Sequence, residues 1–268
     1  MTLKIAIAGV AGRMGQTLVR AAAPRKDVRI TGAAQRAGAE TEGKDIGALS
    51  GLEPTGVLVT ADVATAARKA DVWIDFSTPD AMRAAVGILP DTSVRAAIIG
   101  TTGIDAAGET AIRAAAKKIA IVRSGNFSLG VSVLAGIVRQ ATERLGPEWD
   151  IEIVESHHRR KVDAPSGTAL MLGEAAAAGR GHTLRDLRLE PREGVTGSRP
   201  EGGIGFAVVR GGGLVGEHEI ILASETETLR FTHQAADRTI FAHGALAAAL
   251  WAARQKPGLY SMQDVLGL

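Results

Sequence analysis

The chain has 268 residues, 46% hydrophobic and 22% charged, with 31 Lys and Arg against 29 Asp and Glu and a formal charge of +2. Its length predicts one large or two modest domains, and so small a charge, with three Trp, one Tyr and five Phe as its only aromatics, argues against a nucleic-acid-binding surface. The absence of cysteine excludes disulfides, thiolate nucleophiles and cysteine-ligated metal sites.

The N-terminal MTLKIAIAGVAG lacks a convincing charged n-region, and glycine interrupts its short apolar run, so it reads as a buried strand and not as a signal peptide. No run approaches the roughly 18 apolar residues of a membrane span, and a cytoplasmic location without membrane contact is expected. Residues 3–8 predict a strand, 9–15 a turn and 16–23 a helix. Strands follow at 28–34, 72–76, 96–99 and 119–122, separated by helical segments at 65–69, 80–89 and 106–118. Such alternation predicts βαβ units and a parallel sheet.

The pattern changes after about residue 127. A long helix is expected at 131–145, a half-exposed strand at 151–155 and a helix at 168–178. Strands at 206–210, 217–223 and 229–233 have no helices between them, which predicts a mixed or antiparallel sheet. Nine glycines fall within 194–216, predicting a loop with a strand inside it, and 239–255 reads as a strongly apolar helix. The expected class is α/β: a Rossmann-type parallel-sheet domain plus a smaller α+β domain with a mixed sheet.

Two regions carry chemistry. Gly9-Val10-Ala11-Gly12-Arg13-Met14-Gly15 follows the first strand and opens the first helix, where glycine lets the backbone approach a pyrophosphate seated on the helix N-terminus. The spelling departs from GxGxxG, since Val10 stands where the first glycine belongs. The end of the second strand, where NAD-selective proteins place an acid, holds Gln35 and Arg36. Arginine pairs with a 2′-phosphate, so the cofactor is expected to be NADPH or NADH, with NADPH favoured; Glu40 or Glu42 could replace the missing acid. Phe76-Ser77-Thr78-Pro79 and Gly100-Thr101-Thr102-Gly103 sit at the carboxyl ends of further predicted strands.

The second region is Glu155–Ala169, ESHHRRKVDAPSGTA. His157, His158, Arg159, Arg160 and Lys161 run into a turn and a helix start, with Pro165 in the first turn and Ser166 as a cap. Cations beside a helix N-terminus suit carboxylates, and imidazole moves protons near neutrality. A metal site is not expected, because His157 and His158 diverge on a strand and neither HExxH nor a cysteine set accompanies them. Ser166 lacks the GxSxG elbow of a hydrolase.

HHRRKVDAPSGTA closely resembles the signature of the 4-hydroxy-tetrahydrodipicolinate reductase family, also called dihydrodipicolinate reductases. The glycine turn, FSTP, GTTG, the Ser124-Gly125-Asn126-Phe127 segment, GEHE at 216–219 and the terminal FAHGALAAALW follow the family's order. The resemblance implies NAD(P)H-dependent reduction of a cyclic dicarboxylate in lysine and diaminopimelate synthesis. It implies His157 as proton donor, Lys161 as its helper in protonation and substrate binding, and His158, Gly167 and Thr168 as substrate-binding residues. Gly100, Thr101 and Thr102 and Ser124–Phe127 become cofactor contacts. The expected domains are 1–127 for the dinucleotide, completed by 236–268, and 128–235 for substrate binding and assembly of a homotetramer. Two other readings stay open: a different Rossmann-type dehydrogenase, and a non-catalytic NAD(P)-sensing protein.

Overall fold

A computed structural model describes residues 2–268; Met1, the first residue of the expected dinucleotide domain, lies outside them. The elements in chain order are β1 (Leu3–Ala8), α1 (Arg13–Ala22), β2 (Val28–Ala34), α2 (Ile46–Leu49), α3 (Val63–Ala67), β3 (Val72–Asp75), α4 (Pro79–Ile88), β4 (Ala96–Ile99), α5 (Ala106–Ala115) and β5 (Ala120–Arg123). They continue with α6 (Leu129–Arg144), β6 (Asp150–His157), α7 (Gly167–Gly179), α8 (Leu184–Leu187), β7 (Ile204–Arg210), β8 (Glu217–Ala223), β9 (Thr228–Gln234), α9 (Thr239–Ala252), β10 (Gly258–Tyr260) and α10 (Met262–Leu266). Two compact units result, one holding the chain up to Leu129 together with Thr239–Gly267, the other Gly130–Arg238.

The first unit is built on a six-stranded sheet in the order β10-β5-β4-β3-β1-β2, every pairing parallel. Parallel strands need crossover helices, which cover both faces and leave the strands apolar throughout. Ile5, Ile7, Val72 and Ile74 accordingly enter one core with Leu18 of α1 and Leu246 of α9. Their neighbours Ala6, Trp73, Ala97 and Ile99 enter a second core with Met82 of α4 and Ile112 of α5. Strand order reverses between β1 and β3, the place where such sheets open a crevice at their carboxyl ends.

The first helix starts at Arg13, inside the stretch expected to be a turn, with Gly12 at its N-cap. Gly9, at φ +67°, makes the reversal, and Gly15 lies within the helix because a Cβ there would strike the Gly9 carbonyl oxygen and stand 2.5 Å from Val10 Cα. The last apolar helix ends at Ala252, short of the expected 255, and β10 then pairs with β5. Three residues carry no readable periodicity; the edge-to-face contact of Trp251 and Tyr260, centroids 5.1 Å apart, fastens the return.

The second unit is a four-stranded sheet, β7-β6-β8-β9, with β6 and β7 parallel and the other pairs antiparallel. Ile151, Ile153, Ile204 and Leu222 pack with Leu134 and Val138 of α6 and Leu172 of α7. Arg199, from the glycine-rich stretch, holds Asp150 at 2.7 Å, Glu152 at 3.0 Å and the Ile151 and Gly203 carbonyls, tying that stretch to β6.

Gly15→Ala should cost roughly 3 kcal/mol, the upper range for overpacking, because the groups it meets are backbone. Urea denaturation checks this; an unmoved midpoint would show that the turn accommodates a side chain.

Candidate active site

Strand β6 explains the chemistry of its own end. Burial alternates along it: Ile151, Ile153, Glu155 and His157 are buried, whereas Glu152, Val154, Ser156 and His158 are half-buried. A period of two puts Glu155 and His157 on the face that carries the core isoleucines. The strand runs two residues beyond the expected 155, so His157 belongs to the sheet.

Glu155 is fully buried and its carboxylate receives three donors, Arg210 Nη1 on Oε2 at 2.7 Å, Arg210 Nη2 on Oε1 at 2.8 Å and the Ser166 N–H on Oε1 at 3.0 Å, and its Oε2 lies 2.6 Å from His157 Nδ1. Burial alone would raise the carboxyl pKa, but the bonds from Arg210, His157 and Ser166 outweigh it and hold the group below its ordinary value. Arg210 Nη2 also donates to the Asp163 carbonyl at 2.6 Å, so one guanidinium joins β7, β6 and the loop after β6. Neither Glu155 nor Arg210 is among the residues the sequence reading assigned. Spacing two residues before His157 was the available sign for Glu155; Arg210 carried none, since only register brings it opposite His157.

Along the loop, Lys161 Nζ contacts Asp163 Oδ2 at 2.8 Å, and this bond holds the Asp163 carboxyl below its usual range. Arg159 and Arg160 are both exposed. Desolvation and the Arg160 cation lower the His158 pKa, so that ring is neutral at pH 7. Pro165 precedes the cap and does not sit in the first helical turn; Ser166 is the N-cap of α7, its hydroxyl accepting the Ala169 N–H at 3.1 Å. Gly167 and Thr168 are therefore the first two residues of α7.

His218 of β8 is buried, 3.1 Å from Ser166 Oγ through Nε2, and its ring meets His157 edge-to-face with centroids 5.1 Å apart. Burial, helped by the neighbouring His157, pushes its pKa down to about 4. These contacts place His218 against both the cap and the imidazole.

The nucleotide-type turn lies at the carboxyl ends of β1, β2 and β3. A cleft of about 400 Å³ there is lined by Gly9, Gly12, Gln35, Arg36, Asp75 and Phe76, among others. Val10 and Phe127 are core residues, and Met14 is half-buried against the core. Ala11, Arg13, Gly100–Thr102 and Ser124–Asn126 do not line this cleft. Glu42 accepts the Gly38 N–H at 3.3 Å and borders a neighbouring hollow. Asp75, fully buried, organises the strand ends: Oδ1 accepts from the Ser77 N–H at 2.9 Å, Ser77 Oγ at 2.6 Å and Thr101 Oγ1 at 3.0 Å, and Oδ2 accepts from Trp73 Nε1 at 3.1 Å. Among the described residues, no group of three or more His, Cys, Asp or Glu side chains could hold a metal ion, and no helix is long and apolar enough to cross a membrane.

A parallel doubly wound sheet with a glycine turn, in a chain whose second unit buries a carboxylate–imidazole pair beside a helix N-terminus, defines a nicotinamide-nucleotide-dependent oxidoreductase. Residues 3–127 match the model for the N-terminus of dihydrodipicolinate reductase and 130–266 the model for its C-terminus. The chain is 49% identical to the 4-hydroxy-tetrahydrodipicolinate reductase of Parvibaculum lavamentivorans, over 99% of this chain and 98% of that one, and 50% identical to that of Rhizobium rhizogenes, over 99% and 97%. It superposes on a dipicolinate-bound dihydrodipicolinate reductase from Paenisporosarcina sp. TG-14 with a TM-score of 0.75 at 25% identity, covering 98% of this chain and 99% of that one. An amine dehydrogenase from Mycobacterium smegmatis, at 15% identity and a TM-score of 0.68 over 98% and 95%, shares the fold. The chain belongs to the 4-hydroxy-tetrahydrodipicolinate reductase family.

Because folded His218 resists protonation, the unfolded chain binds more protons between the ordinary value of 6.5 and about 4. Stability should therefore fall as pH falls through that window, by on the order of 3 kcal/mol from this residue. Denaturation at pH ~7 and pH ~4.5 should show a larger loss for the native chain than for His218→Gln; equal losses would remove His218 as the cause.

Proposed function

We propose that this chain reduces 4-hydroxy-tetrahydrodipicolinate to tetrahydrodipicolinate with loss of water, in lysine and diaminopimelate biosynthesis, preferring NADPH. The observation that carries the reading is the loop from His157 to Thr168, which joins a buried imidazole to the start of α7 and lies within the matched reductase C-terminus.

The turn fits a dinucleotide. Gly12 caps α1 without a side-chain hydrogen bond, so the helix N-terminus is open to a pyrophosphate. In this reading the Gly9–Met14 backbone holds the pyrophosphate, and Gly100, Thr101, Thr102 and Ser124–Phe127 supply the remaining cofactor contacts. The cleft brings Gln35 and Arg36 together, and its one acid, Asp75, already has its oxygens occupied. A guanidinium without a competing carboxylate favours a 2′-phosphate over a bare ribose diol.

When bound, the reduced nicotinamide supplies the hydride. The chain's residues hold the dicarboxylate and supply the proton. Gly167 and Thr168 meet one carboxylate at the start of α7, where the helix dipole favours negative charge. Neutral His158 donates a hydrogen bond to the substrate. Lys161 exchanges Asp163 for a substrate carboxylate and assists His157, which delivers the proton from Nε2. Val208, Val209 and Leu229, exposed on the second unit's sheet, support assembly into a homotetramer through that sheet.

The test is turnover of freshly generated 4-hydroxy-tetrahydrodipicolinate, followed by loss of reduced-nicotinamide absorbance with NADPH and NADH in parallel. Oxidation with a higher kcat/KM for NADPH is expected. Lys161→Ala should lower kcat by roughly 10²- to 10⁴-fold, as for loss of a group in proton transfer, while leaving the Kd for NADPH in place. No oxidation by protein that binds reduced cofactor would overturn the reading, and an unchanged rate in Lys161→Ala would remove its role.

A further inference from the structure

The Glu155 carboxylate performs no step in the reaction as described, yet it is the most completely satisfied ionised group near the loop. Its two oxygens take two bonds from the Arg210 guanidinium and one from the Ser166 N–H while it remains fully buried. A carboxylate in that state only accepts hydrogen bonds. The nitrogen 2.6 Å from it, His157 Nδ1, must therefore carry a hydrogen in every protonation state of the ring. Proton gain and loss are then confined to Nε2. That atom lies beside Gly216, where a Cβ would come within 3.1 Å of it, so the glycine keeps the edge of the ring clear.

We propose that Glu155, clamped by Arg210, is a positioning residue for His157: it fixes the ring's orientation and tautomer and stabilises the imidazolium that delivers the proton. The proposal rests on the reading of His157 as proton donor. The charged and titratable groups around the ring agree with it. Arg210 on β7 gives two bonds to Glu155, and a further bond from its Nη2 holds Asp163 O to the same guanidinium. His218 on β8 is held by Ser166 and does not contest Nδ1, and His233 lies one strand further, opposite His218. Lys161 pairs with Asp163, and His158 is the first residue past the end of β6. Arg210 thus neutralises the buried charge, and the carboxylate directs its remaining acceptor capacity at one ring nitrogen.

Glu155→Gln keeps the shape and removes the charge. It should lower kcat by roughly 10- to 1000-fold, the scale seen when a group that orients a catalytic imidazole or a bound ligand is lost. KM for the dicarboxylate and Kd for NADPH should stay within about threefold. The alkaline limb of the kcat profile should move to lower pH, because the imidazolium has lost its counter-charge. In a His157→Gln background the same change should cost nothing further, since the effect passes through the ring. If Glu155→Gln does not fold, Arg210→Lys carries the same comparison, as it replaces the two-pronged clamp with a point charge. An equal loss in both backgrounds, or an unmoved kcat and pH profile, would overturn the proposal. A His157→Gln protein with undiminished kcat would instead overturn the reading of His157 itself.

Discussion

A negative charge placed in the core of a small sheet is costly unless donors surround it, and the second unit is arranged around that requirement at Glu155. Its partners come from three places in the chain: β6 itself, the end of β7, and the main chain at the cap of α7. Satisfying the carboxylate fixes where Ser166 lies, hence where α7 starts and which way its N-terminus faces. It also brings the Asp163 carbonyl to Arg210. The loop holding His158 and Lys161 is thus anchored at both ends by contacts to one buried acid and its guanidinium partner.

The first unit solves a similar problem differently. Asp75 is also fully buried, but its donors are a tryptophan ring N–H, two hydroxyls and a main-chain N–H, with no cation among them. Two loops, Phe76–Thr78 and Gly100–Thr102, meet on it. Phe76 closes the space so tightly that a side chain at Gly100 would come within 2.5 Å of its ring. Small and hydroxyl residues at these strand ends therefore serve the sheet first, and any cofactor contact uses what that packing leaves.

Much of this was legible in the sequence because burial leaves a pattern of apolar residues. Both parallel-sheet faces are covered, so VWIDF and AAIIG read as strands, and DAPSGTA read as a capped helix start. The turn at 9–15 was legible as glycine punctuation but not as an early helix, because only the collision of a Gly15 side chain with Gly9 and Val10 explains the third glycine. Arg210 could not be found: it is one arginine among many, and its meaning comes from a parallel register that sets it opposite His157. The partner of β5 was invisible for a related reason, since Gly258–Tyr260 is too short to show alternation. Val10 and Phe127 were legible as motif positions, whereas their side chains belong to the core.

Location of the proton on His157 is the most direct test of the account. Neutron diffraction from deuterium-exchanged crystals shows which of the two groups, 2.6 Å apart, holds it. The account predicts a deuteron on Nδ1 and none on either Glu155 oxygen, with the Arg210 guanidinium fully protonated and paired to both. A deuteron on the Glu155 carboxyl, with Nδ1 bare, would contradict it: the buried acid would then be neutral, and the orientation of His157 would need another cause.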